Sequence, residues 1–213
     1  MPTVKTSSKK PTARQTKAAV TRARMLTAAY ELMCDQGFRA ATMESIAERA
    51  GVAVQTIYFT FHTKDDLLQA VLDWAVLGDD PTPPPFQQWH VDALAAPDGR
   101  RALELLIAGL VTIEARVAPL LPVFHAVSAD PAGAVFRHGE ALRRTGFEEI
   151  VTALAKKTPL RRGMTRRRAA DLLFVLAGPE SYRSFVIEAG WTERDWIAWV
   201  TASLTRDLFG NDM

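Results

Sequence analysis

Between Thr42 and Ala50 the apolar residues Met43, Ile46, Ala47 and Ala50 recur at i, i+3, i+4 and i+7, which predicts a short amphipathic helix capped by Thr42. Gly51 follows directly and supplies the left-handed residue that ends a helix, with Val52 beyond it to plug the corner. A second helix of about two turns is predicted from Ala53 to Phe59, with Ile57 and, past its end, Phe61 turned to the core. Val54, Gln55, Thr56, Tyr58 and Thr60 are left outward. A helix, a tight glycine turn and a second helix exposing apolar, amide, hydroxyl and phenol groups is the arrangement a major-groove reader needs.

The flanking pattern is helical throughout. A first helix is predicted from near Thr16 to Gln36 on the stripe Met25, Ala28, Ala29, Leu32 and Met33, stopped by Gly37. Thr63 and Asp66 form a capping-box pair for a fourth helix whose packing face is Leu67, Leu68, Val71, Leu72 and Trp74. Lys64 sits in its first turn, against the helix dipole, where a phosphate would relieve the local charge. The run GDDPTPPP, from Gly78 to Pro85, cannot continue a helix and marks a boundary. From Asp98 to Val117 the period resumes through Leu103, Leu106, Ile107, Leu110, Val111 and Glu114, and a short segment from Leu120 to Ser128 follows. Asp130-Pro131 opens a helix to about Lys156, and the last two helices run from about Thr165 to Ala189, with a break at Pro179, and from Thr192 to Phe209. Both of these last helices are too apolar for a single buried stripe, so part of their surface calls for a partner.

The expected fold is therefore all-α. It divides into a basic arm (1–16), a helix-turn-helix domain (17–77), a Pro-rich linker (78–97) and a larger helical domain (98–213).

Composition narrows the function. Of the 213 residues 48% are hydrophobic and 23% charged, enough for a buried core, while a net charge of +2 gives no overall pull toward nucleic acid. The distribution does: Lys5, Lys9, Lys10, Arg14, Lys17, Arg22 and Arg24 all precede the first acidic residue, Glu31, so the leading segment suits a phosphate backbone. Cys34 is the only cysteine, which excludes an internal disulfide and a cysteine-based zinc site, and its setting beside Leu32 and Met33 is that of a small buried hydrophobe. No uninterrupted apolar run approaches ~18 residues, so a cytoplasmic chain without membrane contact is expected. There is no phosphate-binding glycine loop, nucleophile elbow or metal cluster, so an enzyme is the remote alternative.

The run from Gly37 to Leu68, GFRAATMESIAERAGVAVQTIYFTFHTKDDLL, resembles the N-terminal domain of the TetR family of transcriptional regulators. The shared features are Gly37-Phe38, the capping Thr42, Ile46-Ala47, Ala50-Gly51-Val52, Thr56-Ile57-Tyr58, Phe61, and Lys64 followed by Leu67-Leu68. The resemblance implies a homodimer on a palindromic double-stranded operator, released by a small-molecule effector, with no cofactor and no metal. An activator or an effector-independent DNA-binding protein of the same fold is the alternative.

By the same resemblance Thr42, Tyr58 and Lys64 anchor phosphates, Val54, Gln55, Thr56 and Thr60 face base edges, and Glu44 stands where a base is sometimes reached. The chain departs from the usual pattern at Ala53, Phe59 and Thr60, where serine, tyrosine, and histidine or tyrosine are common. The implied dimer face comprises Leu172, Val175, Leu176, Trp196, Trp199, Val200 and Leu204. An apolar or aromatic effector is expected against Phe124, His125, Phe136, His138, Phe174, Tyr182 and Trp191, and His125 with His138 lacks the i, i+4 spacing of a metal pair.

Overall fold

A computed structural model describes residues 13–78, 80–130 and 132–210, with side chains from Lys17 onward. Among these residues there are eleven α-helices and no strand. They are α1 (Ala13–Ala40), α2 (Met43–Ala50), α3 (Val54–Phe61), α4 (Lys64–Leu77), α5 (Gln88–Ala95), α6 (Gly99–Val117), α7 (Leu121–Ala126), α8 (Gly133–Lys157), α9 (Arg166–Leu176), α10 (Pro179–Tyr182) and α11 (Glu193–Phe209). Lys5, Lys9 and Lys10 of the expected arm lie outside the described residues, as does Pro131, and α8 begins at Gly133.

Local chemistry sets most of these boundaries. Gly37, at φ 82° and ψ 165°, breaks α1 where the pattern stops. Thr63 and Asp66 form the full reciprocal cap of α4, and Asp98, Thr165 and Thr192 cap α6, α9 and α11 through their side chains. Pro179 opens α10 after the break at Gly178, and α10 runs on into a single π-helical segment, Arg183–Glu188.

The Pro-rich stretch corrects the sequence reading, because a helix lies inside the expected linker. After a 3-10 turn at Pro84–Phe86, α5 packs along α6. Gln87 ties the stretch down by donating to the Thr82 carbonyl at 2.8 Å while accepting from the Trp89 indole at 2.6 Å. The Trp89 ring lies over Gly109 so closely that a Cβ there would stand 2.1 Å from a ring carbon.

Two buried clusters organise the chain. The first joins α1–α4 to the end of α6 and to α7, through Ile113, Val117, Leu120, Val123 and Phe124, so the N-terminal helices share a core with the helices behind them. The second is built from α5, α6, α8, α9 and α11 around Leu103, Phe147, Leu154, Leu173 and Trp196. Residues Gly99–Ala126 are long and apolar enough to cross a membrane by composition, yet they form the shared wall of these clusters and are mostly buried.

Trp196, Val200 and Leu204, expected on a face for a second subunit, are fully buried in the second cluster. Trp196 donates to the Ser181 hydroxyl at 3.0 Å and meets the Tyr182 ring edge to face. A helix apolar on several sides does not say which side faces its own chain.

Two glycines on these helices give opposite expectations. Gly109→Ala should destabilise the fold by about 1–3 kcal/mol, because the methyl displaces Trp89 from α6. Gly146→Ala, on α8 with no heavy atom within 4 Å of the added carbon, should be stabilising by up to about 1 kcal/mol. Urea unfolding followed by tryptophan fluorescence and by circular dichroism measures both.

Candidate nucleic-acid interface

The α2–α3 pair is held at its corner by three local devices. Thr42 accepts from the Ser45 amide at 3.1 Å to start α2, and Gly51, at φ 63° and ψ 44°, ends it in the left-handed region. Val52 then donates its amide to the Ala47 carbonyl at 3.0 Å and packs against the first cluster. Arg24 crosses from α1 to donate to the Ala50 and Gly51 carbonyls, so this cation of the basic segment staples the turn. Ala53 starts α3 with no side-chain cap, as the departure from serine implies.

On α3, Ile57 and Phe61 are buried, and Gln55, Tyr58 and Phe59 are exposed. Gln55 and Phe59 are one turn apart and share the outward face. Phe59 is 84% exposed, the most open of the large apolar side chains described, and a phenyl group held there in water is left largely uncovered by the described residues. Sequence reasoning marked it only as a departure; its i+4 relation to Gln55 was the available signal.

The other expected contacts differ in how far they are free. Thr42 is exposed at the N-terminus of α2. Tyr58 donates weakly to Glu44 across the corner at 3.4 Å, and partial desolvation together with the Glu44 charge raises its pKa. Val54 is half-buried against the first cluster. Thr60 donates to the Thr56 carbonyl at 2.8 Å. Both threonines line a cleft of about 500 Å³ against Lys17, Thr21, Arg22 and Met25 of α1, so they face the α1 flank. Lys64 turns back, donating to the Arg39 carbonyl at 3.2 Å with its ammonium 4.6 Å from the Phe38 ring centre. Desolvation there lowers its pKa.

The α3–α4 corner is strained. His62, at φ 54°, is the single non-glycine residue with positive φ among those described, and its amide closes α3 on the Tyr58 carbonyl at 2.9 Å.

With that geometry in place the relatives can be compared. The family model for bacterial regulatory proteins of the tetR family matches residues 25–71. Residues 25–71 are therefore similar to the N-terminal domain of that family. The HTH-type transcriptional regulator UidR of Escherichia coli K12 is 38% identical over 58 residues, which are 27% of this chain and 30% of that protein. The chain therefore spans less than a third of that relative. The fold match is longer: NalD of Pseudomonas aeruginosa superposes with a TM-score of 0.66 at 20% identity, over 92% of this chain and all of NalD. A regulator from Saccharomonospora viridis in complex with choline superposes at 0.66 and 16% identity, over 91% of this chain and 98% of that one.

The residues expected around an effector are distributed over several places. Phe124 stacks on Phe136 at 4.8 Å, with His125 edge-on at 6.4 Å, between α7 and α8. Phe174 meets Phe147, Tyr182 meets Trp196, and Trp191 packs with Phe185 and Trp199. His125 and His138 are exposed. These aromatics satisfy one another in separate groups.

One interior residue was read from the sequence only as part of the helical pattern of α6. Glu114 lies in the apolar stripe of α6 and is 2% exposed. Burial first, then the charges of Glu180 and Glu140, raise its pKa to about 8 against the pull of Arg143. An acid at a stripe position was the signal.

Two expectations follow for these sites. Phe59→Ala should leave stability within about 0.5 kcal/mol, because the ring is exposed, yet weaken binding to a selected duplex. Gln55→Ala should cost about 1–3 kcal/mol on the preferred base and alter preference, with the salt dependence unchanged. Fluorescence anisotropy on matched and substituted duplexes at several salt concentrations separates the two. For Glu114, the folded pKa of about 8 exceeds the ordinary value of 4.5, so its protonation favours the folded state. That contribution is complete below about pH 4.5 and is lost as pH rises through about 8. Glu114→Gln should therefore flatten the fall of Tm across this window. At pH 9 it should be the more stable protein, by on the order of 1–3 kcal/mol.

Proposed function

We propose that this chain is a homodimeric, sequence-specific DNA-binding transcriptional regulator, a repressor released from a palindromic operator by a small-molecule effector, working in the cytoplasm. The observation that carries the reading is the exposed Gln55–Tyr58–Phe59 face of α3, presented by a capped and stapled helix-turn-helix in a TetR-family domain. An amide, a phenol and a phenyl group on one short helix suit an adenine edge, a phosphate and a thymine methyl. Thr42 at the N-terminus of α2 supplies a hydroxyl and free helix amides for another phosphate.

A palindromic site calls for two such heads. Leu172, Val175, Leu176 and Trp199 of the expected dimer face remain partly or fully accessible, and Ile187 and Trp191 extend the same region. This accessible apolar surface, at the end of the chain far in sequence from α3, supports self-association through α9–α11. Effector control is supported by the fold shared with NalD, described as the secondary repressor of a multidrug efflux pump, and with the choline-bound regulator. An activator of the same architecture is the second reading, and the same exposed α3 face serves it equally.

Selection of randomised duplex DNA by the purified protein, with the mass of the retained complex measured, tests the proposal. The expected result is a two-fold-symmetric site held by an even number of chains. Failure to enrich any site at moderate salt would overturn the specific-reader interpretation.

A further inference from the structure

The interior acid Glu114 has no use in DNA reading or in packing, and its surroundings are unusual. One turn away on either side along α6 stand Leu110, Val111, Val117 and Ala118, whose side chains offer no hydrogen bond. Among the described residues no hydrogen bond or ion pair reaches its carboxyl. The nearest compensating cation is Arg143 of α8, and that guanidinium is already engaged. It forms a two-pronged pair with Glu140 at 2.9 Å and 2.9 Å, donates to the Phe174 carbonyl at 2.8 Å and lies 3.7 Å from Glu180 of α10. Its flat face rests 3.7 Å from the Phe174 ring centre, against Gly178, whose missing side chain leaves room for it.

Glu140 and Glu180, from two helices, thus occupy the one guanidinium, and Glu114, the most deeply buried of the three acids, has no ion pair of its own among the described residues. A carboxyl on a side chain 2% exposed, with no hydrogen bond or ion pair to the described residues, is costly to ionise, and a bound cation would offset that cost. One interior carboxyl, two more nearer the surface and an aromatic ring that already carries cations are together complementary to positive charge. We propose that Glu114 is the counter-ion of an organic ammonium effector that enters between α6, α8 and α10, with Glu140 and Glu180 adding to the negative field. The inference rests on the effector-controlled reading above and names the chemical class of that effector.

The site adjoins the route to the reading head. Arg116, two residues along α6, donates to the Ala75 and Val76 carbonyls at the end of α4 at 2.7 Å and 3.5 Å. Leu72 of α4 approaches Gly139 of α8, next to Glu140. A cation drawing Glu114 and Arg143 into new positions acts on α6 and α8, two of the helices packed against α4.

Titration calorimetry on the full chain with choline and with benzyltrimethylammonium, against the uncharged choline isostere 3,3-dimethylbutan-1-ol, tests this. Saturable binding of at least one cation is expected, at least ten-fold tighter than the isostere. At pH 7 binding should release about one proton, falling away by pH 9, because Glu114 must ionise to pair. Glu114→Gln should weaken the cation at least ten-fold with the circular dichroism spectrum and affinity for the selected duplex unchanged. Should that variant fail to fold, Glu180→Gln, at a half-exposed position, should weaken it several-fold. Equal binding of the isostere, undiminished binding by the folded variants, or binding of neither cation would overturn the proposal. If an operator is selected and neither cation binds, this inference alone fails. If a cation binds through Glu114 and no operator is found, the regulator reading fails and the cation site stands.

Discussion

An eight-residue helix does not hold itself together in water, because nucleation costs more than so few backbone bonds return. α2 and α3 have eight residues each, so the reading surface exists only as far as tertiary contacts impose it. The constraint is met at the Gly51 corner. A left-handed residue turns the chain, Val52 and Ile57 bury the inside of the turn, and Arg24 reaches from α1 to bind its last carbonyls. Arg24 thereby uses a cation for architecture that the basic leading segment suggested for phosphate. Exposed residues such as Gln55 and Phe59 carry no stabilising role and are free to serve recognition, whereas Thr60 and Lys64 are engaged with backbone carbonyls.

Because the first cluster runs from α1–α4 into α7 and the end of α6, the reading head has no independent floor. Its orientation follows the helices behind it. That continuity, together with Arg116 capping the end of α4, makes a movement of α6 a movement of the head. The interface between the two parts is a packed core, the kind of element that a ligand with differential affinity for two arrangements can shift.

The sequence was most readable where a short-range rule has one solution. Thr42, Gly51, Gly37, the Thr63–Asp66 box and Pro179 each fix a boundary by local stereochemistry, and the structure has each of them in that role. It was least readable where the answer depends on distant partners. α5 hides in a proline-rich stretch because its stability comes from Trp89 over Gly109, a contact between separated segments. Trp196, Val200 and Leu204 look like partner-facing residues because an apolar side chain carries no label for whose core it enters. Lys64 is placed correctly on its helix, yet its ammonium turns to the Arg39 carbonyl for reasons set by α1. The aromatic residues expected around a ligand are drawn into separate stacks for the same reason.

Those satisfied aromatics also bear on what an effector can do. A ligand that only inserts apolar surface among Phe124, Tyr182 or Trp191 must first break good packing, and it gains little beyond what it displaces. A ligand that completes Glu114 starts from a group the fold leaves uncompensated, so its binding free energy is not offset by an equal loss. Selectivity between two conformations then requires that the carboxyl be reached in one and shielded in the other, since equal affinity for both shifts nothing. In the arrangement described here Glu114 is 2% exposed. The unpaired Glu114 carboxyl and the Arg116 contact that ties α6 to the end of α4 lie two residues apart on one helix.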